Sequence, residues 1–330
     1  MKWVHPLVRV AVSIAVLGTL ARILDPDLVL SRLRSLTPGW VALGLTLSLA
    51  QGLVLAWRWR FTAGRLGVEL PYRVAVREYY LGNFLNQLLP GGVVGDVSRA
   101  WRHARTEASS GSAVRAVLLE RLSGQIVMTT VAVLSIAMLP GLTGELRILG
   151  AVGLTVVLAG LGVALTGIRR SGARGPASVM GRFAEDARAA VLHRDALPAQ
   201  LGTAVFVVGT YIAIYLVGAR ALHDETPLVS LAPLVAPVLM TMLLPVSVAG
   251  WGVREAAAAT LWRAVGLTPE DGVAISVTYG ILVLVSTIPG ALVLIGSLGR
   301  GRSRTERRPP GGSDEPEAAA PRSGSESDPA

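Results

Sequence analysis

Six stretches of this chain are apolar on every helical face and long enough to cross a bilayer, which limits its fold more than any other feature. They are residues 7–24, 39–57, 118–139, 147–168, 201–221 and 273–297. A spanning helix needs about 20 apolar residues. Lipid offers backbone amides no partner, so a spanning segment must close its own hydrogen bonds. A helix of a soluble protein keeps a polar face; these do not. The sequence therefore predicts an all-α, polytopic membrane helix bundle. Composition agrees: 52% of the 330 residues are hydrophobic and 16% charged, against about 25% charged in soluble chains. Residues 7–24 have the length of a signal peptide, but they lack a small-residue cleavage site and Arg9 and Arg22 bracket them. They are read as a retained helix.

Two further apolar segments, 75–97 and 229–252, carry proline, glycine and polar residues at mid-length. Proline removes a backbone donor and breaks a helix. Broken backbone at membrane depth survives only where protein or a wet cavity satisfies it. Both segments are therefore predicted to be re-entrant, discontinuous helices. They also match each other: Leu88-Leu89-Pro90, Gly95 and Arg99 recur 155 positions later as Leu243-Leu244-Pro245, Gly250 and Arg254. The same offset carries 39–57 onto 194–212 and 118–139 onto 273–294. A unit of helix, broken segment and helix thus occurs twice, in halves of about 39–139 and 194–297.

Charge sets the expected orientation. Arginines crowd residues 58–77, 169–199 and 300–308, while 25–38 has only Arg32 and Arg34, and 140–146 and 222–230 have no Lys or Arg. The positive-inside rule then puts both termini in the cytoplasm of a cell membrane. With six crossings the two units point opposite ways, an inverted repeat of the kind transporters build around a central substrate site. The net charge of +9 is assigned to anionic lipid headgroups and not to nucleic acid. The one aromatic-basic cluster, Trp57-Arg58-Trp59-Arg60, is read as an interfacial belt. Residues 175–195 form either an amphipathic surface helix or a solvated loop. The membrane domain is expected over 1–299, with a disordered tail over 300–330.

There is no cysteine, and the four histidines show no metal-ligand spacing. No zinc-protease motif, phosphate-binding loop or nucleophile elbow is present. Asp25-Pro26-Asp27 is read as a turn and not as a metal site. The chain is therefore expected to be neither an enzyme nor a cofactor binder. The candidate residues lie in and after the broken segments. Asn83, Asn86 and Gln87 share a helical face; they either line a wet cavity or bond neighbouring helices. Asp96 would cap a restarting helix. Arg99 and Arg102 could fork onto phosphate or simply mark a helix end. Glu120-Arg121 opens a crossing, where ionisable groups need partners or water. Trp251, Arg254 and Glu255 are the counterparts in the second half.

The run Tyr79-Tyr80-Leu81-Gly82-Asn83-Phe84-Leu85-Asn86-Gln87-Leu88-Leu89-Pro90-Gly91-Gly92, then Gly95-Asp96 and Arg99, resembles the lysylphosphatidylglycerol synthase transmembrane-region family. So do Glu120-Arg121 and Gly250-Trp251-Gly252-Val253-Arg254-Glu255. The resemblance covers roughly residues 5–298. It implies a flippase-like membrane protein whose substrate is a phospholipid or lipid-linked headgroup, here without the cytosolic synthase domain of two-part members. A membrane subunit of a lipid-modifying transferase, a small-solute transporter and a non-transporting scaffold remain the alternatives. A second copy of the chain or a separate lipid-modifying enzyme is left open as partner.

Overall fold

The computed structural model describes residues 11, 14–20, 22, 25–89, 93–106, 110–139, 144, 155, 179–243 and 247–306. Among them every regular element is a helix. Half of the expected crossing 7–24 and all of 147–168 but Thr155 lie outside these residues, as do 90–92, 244–246 and 307–330.

Helix α1 (Pro26–Arg34) starts at Asp25, whose carboxylate accepts from the Asp27 and Leu28 amides, with proline in the first turn. Asp25-Pro26-Asp27 is thus a helix cap, a structural role. Helix α2 (Pro38–Arg65) has 28 residues, a length of about 42 Å, well beyond a hydrocarbon core. It is followed by α3 (Tyr72–Leu88) and α4 (Val94–Thr106). Helix α5 (Ser110–Met138) comes next, then α6 (Val179–Ala187) with a π-helical turn over Arg188–Leu192. The second half holds α7 (Leu197–Ala221), α8 (Leu228–Met240) with a 3-10 turn at Thr241–Leu243, and α9 (Val253–Ala264). Helices α10 (Pro269–Ser286) and α11 (Ile288–Glu306) close the chain. Helix continues to Glu306, past residue 300 where the tail was expected to begin. Residues from Leu294 onward form a unit separate from Met1–Val293.

Helices α2, α5 and α7 and the α10–α11 stretch Pro269–Ser297 are long and apolar enough to span a membrane. They contain the expected crossings 39–57, 118–139, 201–221 and 273–297. Large apolar side chains, among them Leu53, Leu122, Ile126, Val205, Phe206 and Leu292, face outward. That is the surface a bilayer covers and water does not.

Both broken segments are interrupted as expected, and the first is a tight antiparallel hairpin. Going towards its tip, Glu78 pairs with Arg102, Gly82 lies against Arg99 and Gly95, and Asn86 bonds the Gly95 amide. A Cβ on Gly95 would sit 1.8 Å from the Gly82 carbonyl oxygen, so only glycine allows this approach. The second hairpin closes at its tip, where Gly250 lies against Met242. Pro233 and Pro237 stand inside α8.

The order long helix, hairpin, long helix recurs as α2–α5 and α7–α10. The counterparts α2 and α7 pack against each other in opposite directions. Thr37 meets Ala221, Gln51 meets Val207 and Arg58 meets Gln200, one series rising while the other falls. Opposed counterparts are what an inverted repeat requires. The buried apolar residues form two main clusters that cross the halves, since Met128 and Ala132 of α5 join the second and Val207 of α7 the first. The first gathers Trp59, Tyr79 and Ala116; the second gathers Tyr215, Leu234, Trp262 and Tyr279.

One expectation fails. Trp57-Arg58-Trp59-Arg60 is not an interfacial belt in a loop: α2 runs on to Arg65, and the helical period turns Arg58 and Trp59 inward. Arg58 is 1% exposed and Trp59 0%, while Trp57 and Arg60 face out. Of the two readings for 175–195, the helix is observed. Small residues Ala184, Ala187 and Ala190 are buried, and Arg115–Asp186 and Arg65–Ala189 contacts hold the segment to α5 and α2.

Candidate functional site

The polar residues of the first hairpin converge on its tip and on the start of α5. Asn86 bridges the break: its Oδ1 accepts from the Gly95 amide at 2.7 Å and its Nδ2 donates to Asp96 at 3.2 Å. Asp96 was expected to cap α4. Instead it accepts from Arg99 Nε at 3.0 Å and Arg121 Nη2 at 2.7 Å. Arg99 is buried, its Nη2 donating to Glu120 at 2.8 Å. Its guanidinium lies between the Trp59 and Tyr79 rings, 4.7 and 4.5 Å from their centres. A cation so enclosed by carboxylates and π faces is neutralised and held rigid.

The second hairpin builds a parallel arrangement with different parts. Arg254, 1% exposed, donates to Glu255 and to Ser276 on α10, and lies over the Trp251 and Tyr279 rings. The second Glu255 oxygen accepts from the Gly252 amide at 2.7 Å, capping α9. The symmetry expected from Arg99 and Arg254 is therefore present in their burial and aromatic stacking. The carboxylates differ: Glu120 reaches Arg99 from the neighbouring crossing helix, whereas Glu255 sits on Arg254's own helix.

Between the two hairpins lies a cavity of ≈ 270 Å³. Helices α2, α3, α5, α7, α8 and α10 all contribute to its wall. Asn83, Asn86, Gln87 and Arg121 line it; Asp96, Arg99 and Glu120 stand behind Arg121 and anchor it. Arg121 remains 37% exposed at its side chain, and its Nε makes no hydrogen bond among the described residues. Arg102, Trp251, Arg254 and Glu255 are not part of the wall: Arg102 ion-pairs with Glu78, and the others form the second cluster behind Tyr279. No group of three metal-ligating side chains occurs among the described residues.

Several wall and anchor residues were missed in the sequence. Ser48, Gln51, Arg58 and Thr62 form a polar stripe along one face of α2. Gln51 donates to Thr210 at 2.7 Å and the Val207 carbonyl at 3.1 Å. Arg58 donates to Gln200 at 3.1 Å and Ser123 at 2.9 Å, and Gln200 in turn donates to Thr62. The signal was the three-to-four-residue spacing of polar groups inside an otherwise apolar run.

The segments that build this site lie within a family-level match. The family described as "Lysylphosphatidylglycerol synthase TM region" matches residues 7–290, most of the chain. The chain belongs to that family. The lysylphosphatidylglycerol synthase TM region accounts for both hairpins, all the cavity-lining residues and both arginine clusters, since every one lies within the matched span. No curated protein matches the chain. The protein is thus a membrane-embedded helical protein of a family tied by its description to phospholipid chemistry.

Proposed function

We propose that this protein moves a phospholipid or lipid-linked headgroup across the cell membrane, with the headgroup passing through the cavity between the hairpins. The observation that carries this reading is the wall itself. It has amides and one partly exposed guanidinium, surrounded by helices whose outer faces are apolar. Polar groups at membrane depth are costly unless something polar meets them. The volume is below the about 300–1,000 Å³ typical of drug-sized ligands. It suits a headgroup whose acyl chains stay in the bilayer.

In this reading Arg121 meets the phosphate, and Asn83, Asn86 and Gln87 meet the rest of the headgroup. Asp96, Arg99 and Glu120 fix Arg121. Arg254, Glu255 and Trp251 fix the opposing hairpin, and Arg102 with Glu78 secures the base of the first. No bond is made or broken by the chain, and both termini lie in the cytoplasm. The opposed halves support alternating exposure of the cavity to the two leaflets.

The test is fluorescent-lipid translocation in liposomes containing the purified protein. Arg121→Ala should lower the rate at least tenfold while the protein still runs as a folded species by size exclusion. Wild-type rates no faster than those of protein-free liposomes would refute transport.

A further inference from the structure

The cavity is closed at its two ends by different chemistry. Leu55 is the last α2 residue of its wall on the arginine-rich side, and Arg58 stands one turn beyond it. There Arg58, 1% exposed, joins three helices: its Nε donates to Gln200 on α7 and its Nη2 to Ser123 on α5. Gln200, also buried, donates onward to Thr62 and to the Ala190 carbonyl of the π-helical turn. The plug between the cavity and the segments 58–77 and 169–199 is therefore built on polar side chains.

The internal repeat supplies the comparison. The offset of 155 residues carries Arg58 onto Ala213, Thr62 onto Val217, Ser123 onto Thr278 and Leu45 onto Gln200. Since α2 and α7 run antiparallel, Leu45 and the other counterparts belong to the opposite end of the same seam. That end is apolar. Gly44 lets Leu282 and Val217 close in, its Cβ position being 2.9 and 3.3 Å from them. Gly218 lies against the Thr278 methyl, and the Thr278 hydroxyl turns back to Ala274 of its own helix. Polar contacts resume at the exposed terminus, where Thr37 meets Ala221 and His223.

The two plugs respond oppositely to water. The Arg58 side chain has neutral partners and makes no ion pair among the described residues; the Glu120 carboxylate is taken by Arg99. A guanidinium buried without a counter-charge is held at a cost that hydration removes. When α2 and α7 part, water supplies the bonds that Arg58 and Gln200 lose. The apolar plug gains nothing from water and loses its packing.

We infer that Arg58 is the gating residue of a water-admitting entrance: α2 and α7 part at Arg58 and Gln200, on the arginine-rich side, and stay closed at Leu45 and Val217. An inverted repeat alone would make the two faces of the cavity equivalent. This seam makes them unequal, with a wet entrance at one end and a dry pivot at the other. The inference rests on the cavity being a route through the protein, but it concerns the opening and holds whether or not a lipid then crosses.

The chain has no cysteine, so one introduced thiol reports one place. Ala204, one turn from Gln200 on the same face of α7, and Val217 are both buried. N-ethylmaleimide reacts with the thiolate, and hence where water reaches. With the full chain in liposomes, Ala204→Cys should be labelled about tenfold faster than Val217→Cys, the order that one hydrogen bond to a charged group is worth. In the Ala204→Cys background, Arg58→Met fills the plug with an apolar side chain and should slow labelling; Arg58→Lys should preserve it. Gln200→Met removes a partner that Arg58 has only while the seam is closed, and should speed labelling. A lock, or a merely structural contact, would loosen in both variants. Equal labelling of Ala204→Cys and Val217→Cys, faster labelling in Arg58→Met, or no acceleration in Gln200→Met overturns the inference. The Gln200→Met arm also separates gating from a direct effect of the arginine's charge on the thiol, since that charge stays in place. Should one of the two variants fail to fold, the other decides. The expected pattern in a protein that moves no lipid supports the gate and refutes the transport reading instead.

Discussion

The buried and the exposed arginine of the first cluster have separate tasks, and substitution should separate them. Arg99 and Glu120 are enclosed together, with side-chain exposures of 1% and 2%. Removing one partner leaves the other charge unpaired at membrane depth, which typically costs about 3–5 kcal/mol. Glu120→Gln should accordingly lower the thermal unfolding temperature in detergent by many degrees. Arg99→Met combined with Glu120→Leu should recover much of that loss, because it removes the unpaired charge as well. Arg121→Ala should behave differently. Its side chain is 37% exposed towards the cavity, so stability should change by little while headgroup binding falls. A stable Glu120→Gln protein, or additive losses in the double variant, would show that the pair is not the clasp described. Single residues were the least legible part of the sequence. Asn83, Asn86, Gln87 and Arg121 were identifiable because polar groups stand out in apolar surroundings. Which arginines face the cavity was not, since the choice between Arg99 and Arg121 depends on packing against Trp59, Tyr79 and Glu120.

At the scale of elements, helix length and interruption were readable because they depend on local chemistry. Uniform apolarity forces a helix in lipid, and the Leu-Leu-Pro triplets with following glycines force breaks. Less readable was where a helix stops. Apolarity ends near residue 57, yet α2 continues to Arg65, because Arg58 and Thr62 find partners on α5 and α7 rather than in water. A span defined by hydropathy cannot register such partners. The hairpin itself depends on one close approach. In Gly95→Ala the new methyl would meet the Gly82 backbone oxygen, which cannot swing aside as a flexible side chain would. The α3–α4 pair should spread, and with it the Asn86 bridge and the Asp96–Arg121 contact. Translocation and thermal stability should both fall. Gly202→Ala is the matched control: it lies mid-helix in α7 with nothing within 4 Å of the new Cβ. It should stabilise the protein slightly, by about 0.4–1 kcal/mol, through lost freedom of the unfolded chain. Thermal melts of the two variants side by side should diverge in sign.

For the molecule as a whole, function turns on whether the halves are opposed in the membrane. Packing already opposes α2 to α7, since the Thr37–Ala221, Gln51–Val207 and Arg58–Gln200 contacts run in contrary order. If each hairpin dips into the bilayer and returns, the base of the first must open to one side and the base of the second to the other. The absence of cysteine makes this directly measurable, because every introduced thiol is unique. Arg73→Cys and Arg105→Cys flank the first hairpin at exposed positions; Glu225→Cys and Thr268→Cys flank the second. A membrane-impermeant maleimide applied outside intact cells should label the second pair and spare the first until the membrane is opened. That result would place the arginine-rich segments in the cytoplasm, as the positive-inside rule requires. Each half would then offer the cavity to a different leaflet. Labelling of all four from one side would make the halves parallel. The cavity would keep its headgroup chemistry, but the symmetry that lets it face each leaflet in turn would be gone, and transport would need another origin.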